Sequence, residues 1–212
     1  MTVNMPTAAA APCPDVEVVF ARGTGEAPGV GGVGQAFVDS VRAQSAGQTV
    51  DVYPVDYPAS GNFDDRMAFA QTVVDGIRDA GEHVQSTAAN CPDTRIVLGG
   101  YSQGAVVAGF VTSASVPDGV PTVAVPAPLP PEVANHVAAV ALFGTPSPQF
   151  LQQYSAPPIV IGPLYADKTT ELCAPGDTIC DGAPDGGPTI AHALYPVNGM
   201  VGEGATFAVD RL

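Results

Sequence analysis

Apolar positions along the chain follow two alternating rhythms. Short β-branched runs form the first: Val16–Phe20 (VEVVF) ends at Arg22-Gly23, and Arg95–Tyr101 (RIVLGGY) carries two glycines near its end. Runs this short, bounded by turn formers, predict buried strands. Val137–Phe143 (VAAVALF) is apolar throughout, as expected of a central strand covered on both faces. Val50–Tyr57 (VDVYPVDY) alternates and predicts another strand, with Pro54 marking an edge or an irregularity. Lys168–Cys173 predicts the last strand, and Ile159–Ile161 a weaker one.

The second rhythm is helical. Val33, Phe37 and Val41 recur at helical spacing after a glycine cluster. Asn62, Asp64 and Asp65 offer N-caps, and Ala70, Val73, Val74 and Ile77 then fall at i, i+3, i+4 and i+7. That spacing predicts a long helix with these four on its buried face. Gln103–Thr112 predicts a helix directly after the third run, and Val201–Leu212 a terminal one. Alternating strands and helices define the α/β class: one domain, a central mostly parallel sheet flanked by helices, and right-handed connections. Ligands in such sheets sit beyond the carboxyl ends of the strands. The segment Pro117–Pro131, with six prolines and no helical period, predicts an extended surface excursion.

Composition narrows the function. The chain has 212 residues, suited to one domain, and is 46% apolar and 13% charged, which excludes a disordered chain. No run of eighteen apolar residues occurs, so no membrane span is expected. The net charge of −14 would repel a phosphate backbone, which excludes nucleic acid as a partner. Met1–Pro12 lacks a basic n-region and holds only a short alanine run, so it is not an intact signal peptide. Residues 1–12 are expected to be a disordered N-terminal remnant or an added segment, and residues 13–212 the domain. Export is inferred instead from the cysteines. Their even count, the acidic charge and the single lysine, Lys168, fit an exported protein with disulfides. Four cysteines allow three pairings. Cys173 and Cys180 flank a Pro175-Gly176 turn, which leaves Cys13 with Cys91. No histidine lies near either pair at zinc-finger spacing, so no metal is expected.

The strongest chemical signal is Gly100-Tyr101-Ser102-Gln103-Gly104, a G-x-S-x-G string between a predicted strand and a predicted helix. This is the context of a nucleophile elbow: the turn holds the serine hydroxyl at a helix N-terminus, where the dipole and free N–H groups favour an oxyanion. A serine needs a base, and the chain has three histidines. His83 is expected on the exposed side of the long helix, and His136 at the start of a strand in a capping or surface role. His192 lies in a Gly/Pro-rich loop after the last strand and satisfies the hydrolase order of Ser, acid, His. Among Asp177, Asp181 and Asp185, Asp177 lies inside the Cys173–Cys180 loop, where a disulfide would fix its carboxylate. The other two read as turn carboxylates beside Gly182 and Gly186. The Gln103 N–H is one expected oxyanion donor, and Thr24, in the loop after the first strand, is the second. Gly29–Gly34 also matches G-x-G-x-x-G, but Gly23–Pro28 separates it from the strand end, which argues against a dinucleotide site.

Together these residues resemble the cutinases, in particular the secreted cutinase-like esterases of actinobacterial type. The matching pieces are Cys13-Pro14-Asp15, Phe20-Ala21-Arg22-Gly23-Thr24, Tyr57-Pro58-Ala59, Cys91-Pro92, Gly99–Gly104, Ala141-Leu142-Phe143-Gly144, Cys173–Asp177 with Cys180, and His192. The resemblance implies a small α/β-hydrolase with Ser102 as nucleophile, His192 as base and Asp177 as orienting acid. It also implies an oxyanion hole from Thr24 and Gln103, and disulfides Cys13–Cys91 and Cys173–Cys180. The implied activity is hydrolysis of carboxylic esters: cutin-like polyesters, short- to medium-chain acyl esters, triglycerides or synthetic polyesters, with no cofactor and as a monomer. The Pro117–Pro131 excursion looks longer than the family's usual connection and either rims the site or covers a sheet edge. Two further readings fit the same residues: a lipase, phospholipase or thioesterase acting on cell-envelope lipids, and a non-catalytic secreted binding protein retaining the fold.

Overall fold

The computed structural model describes residues 12–212, so all but Pro12 of the N-terminal segment 1–12 lies outside the described residues. Five strands form one parallel sheet: β1 (Val16–Ala21), β2 (Val50–Pro54), β3 (Arg95–Tyr101), β4 (Val137–Phe143) and β5 (Thr169–Leu172), in the order β2-β1-β3-β4-β5. Every residue of β4 is buried, as its unbroken apolar run predicts. β2 is an edge strand that ends at Pro54, opposite Phe20, so the missing N–H costs little there. The expected extension to Tyr57 does not form. Instead the chain turns inward, and the Tyr57 hydroxyl donates to the Arg22 carbonyl.

Side-chain alternation along the strands divides the core in two. Phe20, Val97 and Phe143 face α1 (Gly31–Gln44), while Val19, Leu98 and Val140 belong to the opposite layer. Phe37 of α1 completes a ring cluster with Phe20 and Phe143, at centroid distances of 5.8 and 5.4 Å. The long helix α2 (Arg66–Asn90) and α3 (Gln103–Val111) cover the other face. Of the three candidate caps for α2, Asp65 is the one used, accepting from the Met67 and Ala68 N–H groups.

The buried face of α2 is not the predicted one. Thr72, Gly76, Ala80 and Val84 are buried, whereas Ala70 is exposed and Val73, Val74 and Ile77 are half-exposed. Small residues win the contact with α3 because that approach is close: a Cβ on Gly76 would lie 2.9 Å from the Val107 side chain. The apolar stripe lies at the edge of the core, where Val73 and Ile77 pack against it while all four residues line a cavity.

Ile159–Ile161 forms no strand. Its polar backbone is taken up by the end of α3, where Ser113 Oγ donates to the Val160 carbonyl (2.8 Å) and Gly162 N to that of Thr112 (2.9 Å). Short helices follow: α4 (Pro148–Gln153), α5 (Pro163–Ala166) and α6 (Ile190–Ala193). The terminal helix α7 (Met200–Val209) packs beside α1 and stops before the predicted Leu212. The Cys13–Cys91 disulfide ties the segment before β1 to the end of α2 across 78 residues.

Phe143→Ala removes a fully buried ring from the α1 side of the sheet. It is expected to cost about 3–5 kcal/mol in urea unfolding, with the folded structure otherwise retained.

Candidate active site

At the carboxyl end of β3 the chain turns through Ser102 into α3 with φ 54° and ψ −117°, a left-handed conformation that an ordinary side chain adopts rarely. The turn is held because its neighbours lack side chains. A Cβ on Gly104 would lie 1.9 Å from the Ala21 carbonyl oxygen, and one on Gly100 would lie 2.1 Å from the Gly104 carbonyl oxygen. Both residues let α3 sit directly on β1 and β3. Ser102 N donates to the Phe143 carbonyl (2.9 Å), and its hydroxyl makes no capping bond to α3. That hydroxyl lies 2.9 Å from His192 Nε2.

His192 lies on the single turn of α6 rather than in a free loop, and it is buried. Tyr101, beside Ser102, donates from its hydroxyl to the His192 carbonyl (2.5 Å), which anchors this turn to the elbow. His192 Nδ1 lies 2.8 Å from Asp177 Oδ2. Asp177 sits inside the Cys173–Cys180 disulfide loop and is completely buried. Its Oδ2 also accepts from the Tyr195 hydroxyl (2.7 Å), and its Oδ1 from Ile179 N (3.2 Å). Burial by itself would raise the Asp177 pKa, but the bonds from His192 and Tyr195 outweigh it and hold the carboxyl below its usual range. An ionised carboxylate accepts a hydrogen bond from Nδ1–H and so keeps the proton on Nδ1, which leaves Nε2 to accept from the Ser102 hydroxyl.

Tyr195 carries no pattern that marks it in the sequence, yet it is fully buried and completes the surroundings of the carboxylate. Its hydroxyl accepts from Ala174 N (3.0 Å) while donating to Asp177. Burial, together with the Asp177 charge, raises its pKa and keeps it a donor. Gly144 is equally close: a Cβ there would meet His192 Cε1 at 3.0 Å and Asp177 Oδ2 at 3.2 Å, at a φ of 58°.

Thr24 and Gln103 line the same cavity as Ser102 and His192. Gln103 is buried, and its side-chain amide donates to the Ser60 carbonyl (3.1 Å). The loop that carries Thr24 is braced by Arg22, which donates to the carbonyls of Glu26 (2.9 Å) and Tyr57 (2.6 Å). Glu26 also settles the glycine-rich string. Its carboxylate accepts from Gly23 N (2.6 Å) and Gly32 N (2.7 Å), so it fills the start of α1 where a pyrophosphate would have to bind.

The other candidates lie elsewhere. His83 is not on an exposed side: it stacks on Tyr53 at 3.4 Å and meets Glu17 at 3.0 Å. His136 contacts the Pro92 carbonyl through Nδ1 (3.1 Å) at the start of β4. Asp181 accepts from Ala183 N (2.9 Å) as a turn former, and Asp185 is exposed. Among the described residues, no three His, Cys, Asp or Glu side chains converge as a metal site would need.

The model of the family described as Cutinase matches residues 12–212. Probable carboxylesterase Culp7 of Mycobacterium tuberculosis is 64% identical over 170 residues, which is 80% of this chain and 89% of that protein. Phospholipase Culp4 of the same organism is 45% identical over 212 residues, covering 100% of this chain and 85% of that protein. Among solved structures, Trichoderma reesei cutinase in complex with a phosphonate inhibitor superposes with a TM-score of 0.69 at 30% identity, covering 94% of this chain and 77% of that one.

Two expectations follow from the packing. Gly104→Ala is expected to cost at least about 1–3 kcal/mol in urea unfolding, because the backbone of β1 must move. Gly187→Ala, which meets open space, is the neutral control. Tyr195→Phe removes a donor to a buried carboxylate and is expected to cost about 1.5–3 kcal/mol at pH 7. The folded Asp177 pKa is depressed, so the stabilisation is present above the unfolded value near 4 and is lost as the pH falls through the folded one. The Tyr195→Phe penalty is therefore expected to shrink in acid, as read by denaturant titrations at several pH values.

Proposed function

The chain belongs to the cutinase family and is a serine ester hydrolase, and on that premise we propose that Ser102, His192 and Asp177 carry its chemistry. The observation behind this reading is the continuous line of contacts from Ser102 Oγ through His192 to Asp177, 2.9 and 2.8 Å. His192 takes the Ser102 proton as the hydroxyl attacks the ester carbonyl. The tetrahedral oxyanion receives hydrogen bonds from the Gln103 N–H and from Thr24. His192 then protonates the departing alcohol, and water hydrolyses the acyl-enzyme by the same route. Asp177 keeps the imidazole in the required tautomer and stabilises it when it becomes charged.

In this proposal the domain spans residues 13–212, works as a monomer, needs no cofactor, and acts outside the cell. Its two disulfides support that location, because such bonds persist in oxidising surroundings. The substrate is a carboxylic ester whose acyl part enters the cavity beside Ser102. A phospholipid ester is a second reading, favoured by the kinship with a protein named as a phospholipase.

Ser102→Ala is expected to fold normally and lose p-nitrophenyl butyrate hydrolysis by more than about 10⁴-fold. Asp177→Asn is expected to fall by roughly 10⁴-fold, through the wrong imidazole tautomer. Folded Ser102→Ala protein that still turns over the ester would overturn the assignment.

A further inference from the structure

The cavity that opens at Ser102 is far larger than the scissile bond requires. Its volume is about 1180 Å³, beyond the roughly 300–1,000 Å³ of ordinary small-molecule pockets. One wall is the displaced apolar stripe of α2: Ala70, Val73, Val74 and Ile77 line the cavity, and Arg78, Gly81, Glu82 and Gln85 line it further along the helix. The floor is α3, through Val106 and Phe110. The opposite wall is the proline-rich excursion, through Val120, Val125, Pro126, Pro128 and Leu129. The excursion therefore rims the site and does not merely cover a sheet edge.

The length of this cavity can be gauged along α2. Thr72 Oγ1 accepts from Ser60 N (3.3 Å), Gln103 donates to the Ser60 carbonyl, and Gly76 packs against Val107. These contacts set Ser102 level with the second turn of α2. From there to Gln85 the helix runs roughly 20 Å at 1.5 Å per residue. The hydrocarbon core of a bilayer is roughly 30 Å for two layers of chains, or about 15 Å for one. The groove is thus long enough for an extended acyl chain of ordinary membrane-lipid length, apolar on the α2 side as far as Ile77 and polar beyond it, through Arg78, Glu82 and Gln85. A small or polar acyl group would leave the cavity-facing surface of the α2 stripe in water.

We infer that the cavity between α2 and the Pro117–Pro131 excursion is an acyl-binding channel that selects esters of long, unbranched fatty acids, of the length found in membrane lipids. This inference rests on the ester-hydrolase reading of Ser102 and adds the chain length. The proline content suits the role, since a wall of prolines is already ordered before a flexible chain arrives and less freedom is lost on binding.

The test compares kcat/KM on p-nitrophenyl butyrate, palmitate and docosanoate in detergent-dispersed form. The wild-type protein is expected to favour palmitate over butyrate by at least tenfold and to gain nothing further on docosanoate, whose extended chain outruns the groove. Val74→Trp places an indole in the channel and is expected to lower the palmitate-to-butyrate ratio at least tenfold. Gly81→Leu, where a Cβ meets only Leu129 at 3.7 Å, blocks it further along and decides the question should Val74→Trp lose its cooperative thermal melt. A wild-type preference that peaks at butyrate, or a ratio within twofold of wild type in a folded blocked variant, would overturn the channel and leave the esterase reading intact. No turnover of any ester by wild type would overturn the esterase reading itself.

Discussion

Everything in the site depends on how closely α3 approaches β1. The carbonyl oxygen of Ala21 occupies the place a Cβ on Gly104 would need, and the Gly104 carbonyl does the same to Gly100. These two contacts allow a seven-residue strand to turn within one residue into a helix, and they force that residue, Ser102, into its left-handed conformation. A serine there cannot fold back to cap its own helix. Its hydroxyl is left projecting at the helix N-terminus beyond the strand ends, with His192 Nε2 as its partner. Strain at one backbone position is thus converted into a fixed position for one hydroxyl.

The partners of that serine come from the far end of the chain and are fixed by different means. Asp177 is held inside a short disulfide loop, closed by cysteines seven positions apart, and by three hydrogen-bond donors, so a buried carboxylate stays ionised. His192 is held from three sides: by Asp177, by the Tyr101 hydroxyl on its carbonyl, and by its position against Gly144. Tyr101 links the two halves directly, because it precedes Ser102 in sequence and grips the turn that carries His192. Tyr195 contributes twice, filling the core beside Phe143 and donating to Asp177.

Much of this was legible in the sequence, for identifiable reasons. The strands show themselves as β-branched runs, and the G-x-S-x-G string has meaning because a strand precedes it and a helix follows. The cysteine spacing also points to the two disulfides that form. The misreadings share a physical cause. Helical periodicity reports that Ala70, Val73, Val74 and Ile77 share a face, but not whether that face meets protein or an open cavity. The burial is decided by Gly76 and Ala80, whose small size permits contact with α3 and leaves no hydrophobic signal. Tyr195 is invisible for a related reason, since a tyrosine beside a loop looks the same whether its hydroxyl meets water or a buried carboxylate. The packing of His83 is equally hidden from helical periodicity, because stacking on Tyr53 and pairing with Glu17 are contacts between distant segments.

Ser102 is proposed as the nucleophile of this hydrolase, activated by His192. The most direct measurement of that role is a timed reaction with a p-nitrophenyl alkylphosphonate, following released nitrophenol, residual esterase activity and the mass of the modified peptide together. One equivalent of nitrophenol per chain, activity lost in proportion, and a single adduct on Ser102 are expected. Stoichiometric modification of Ser102 with activity intact, or activity lost with the adduct on another residue, would contradict that role.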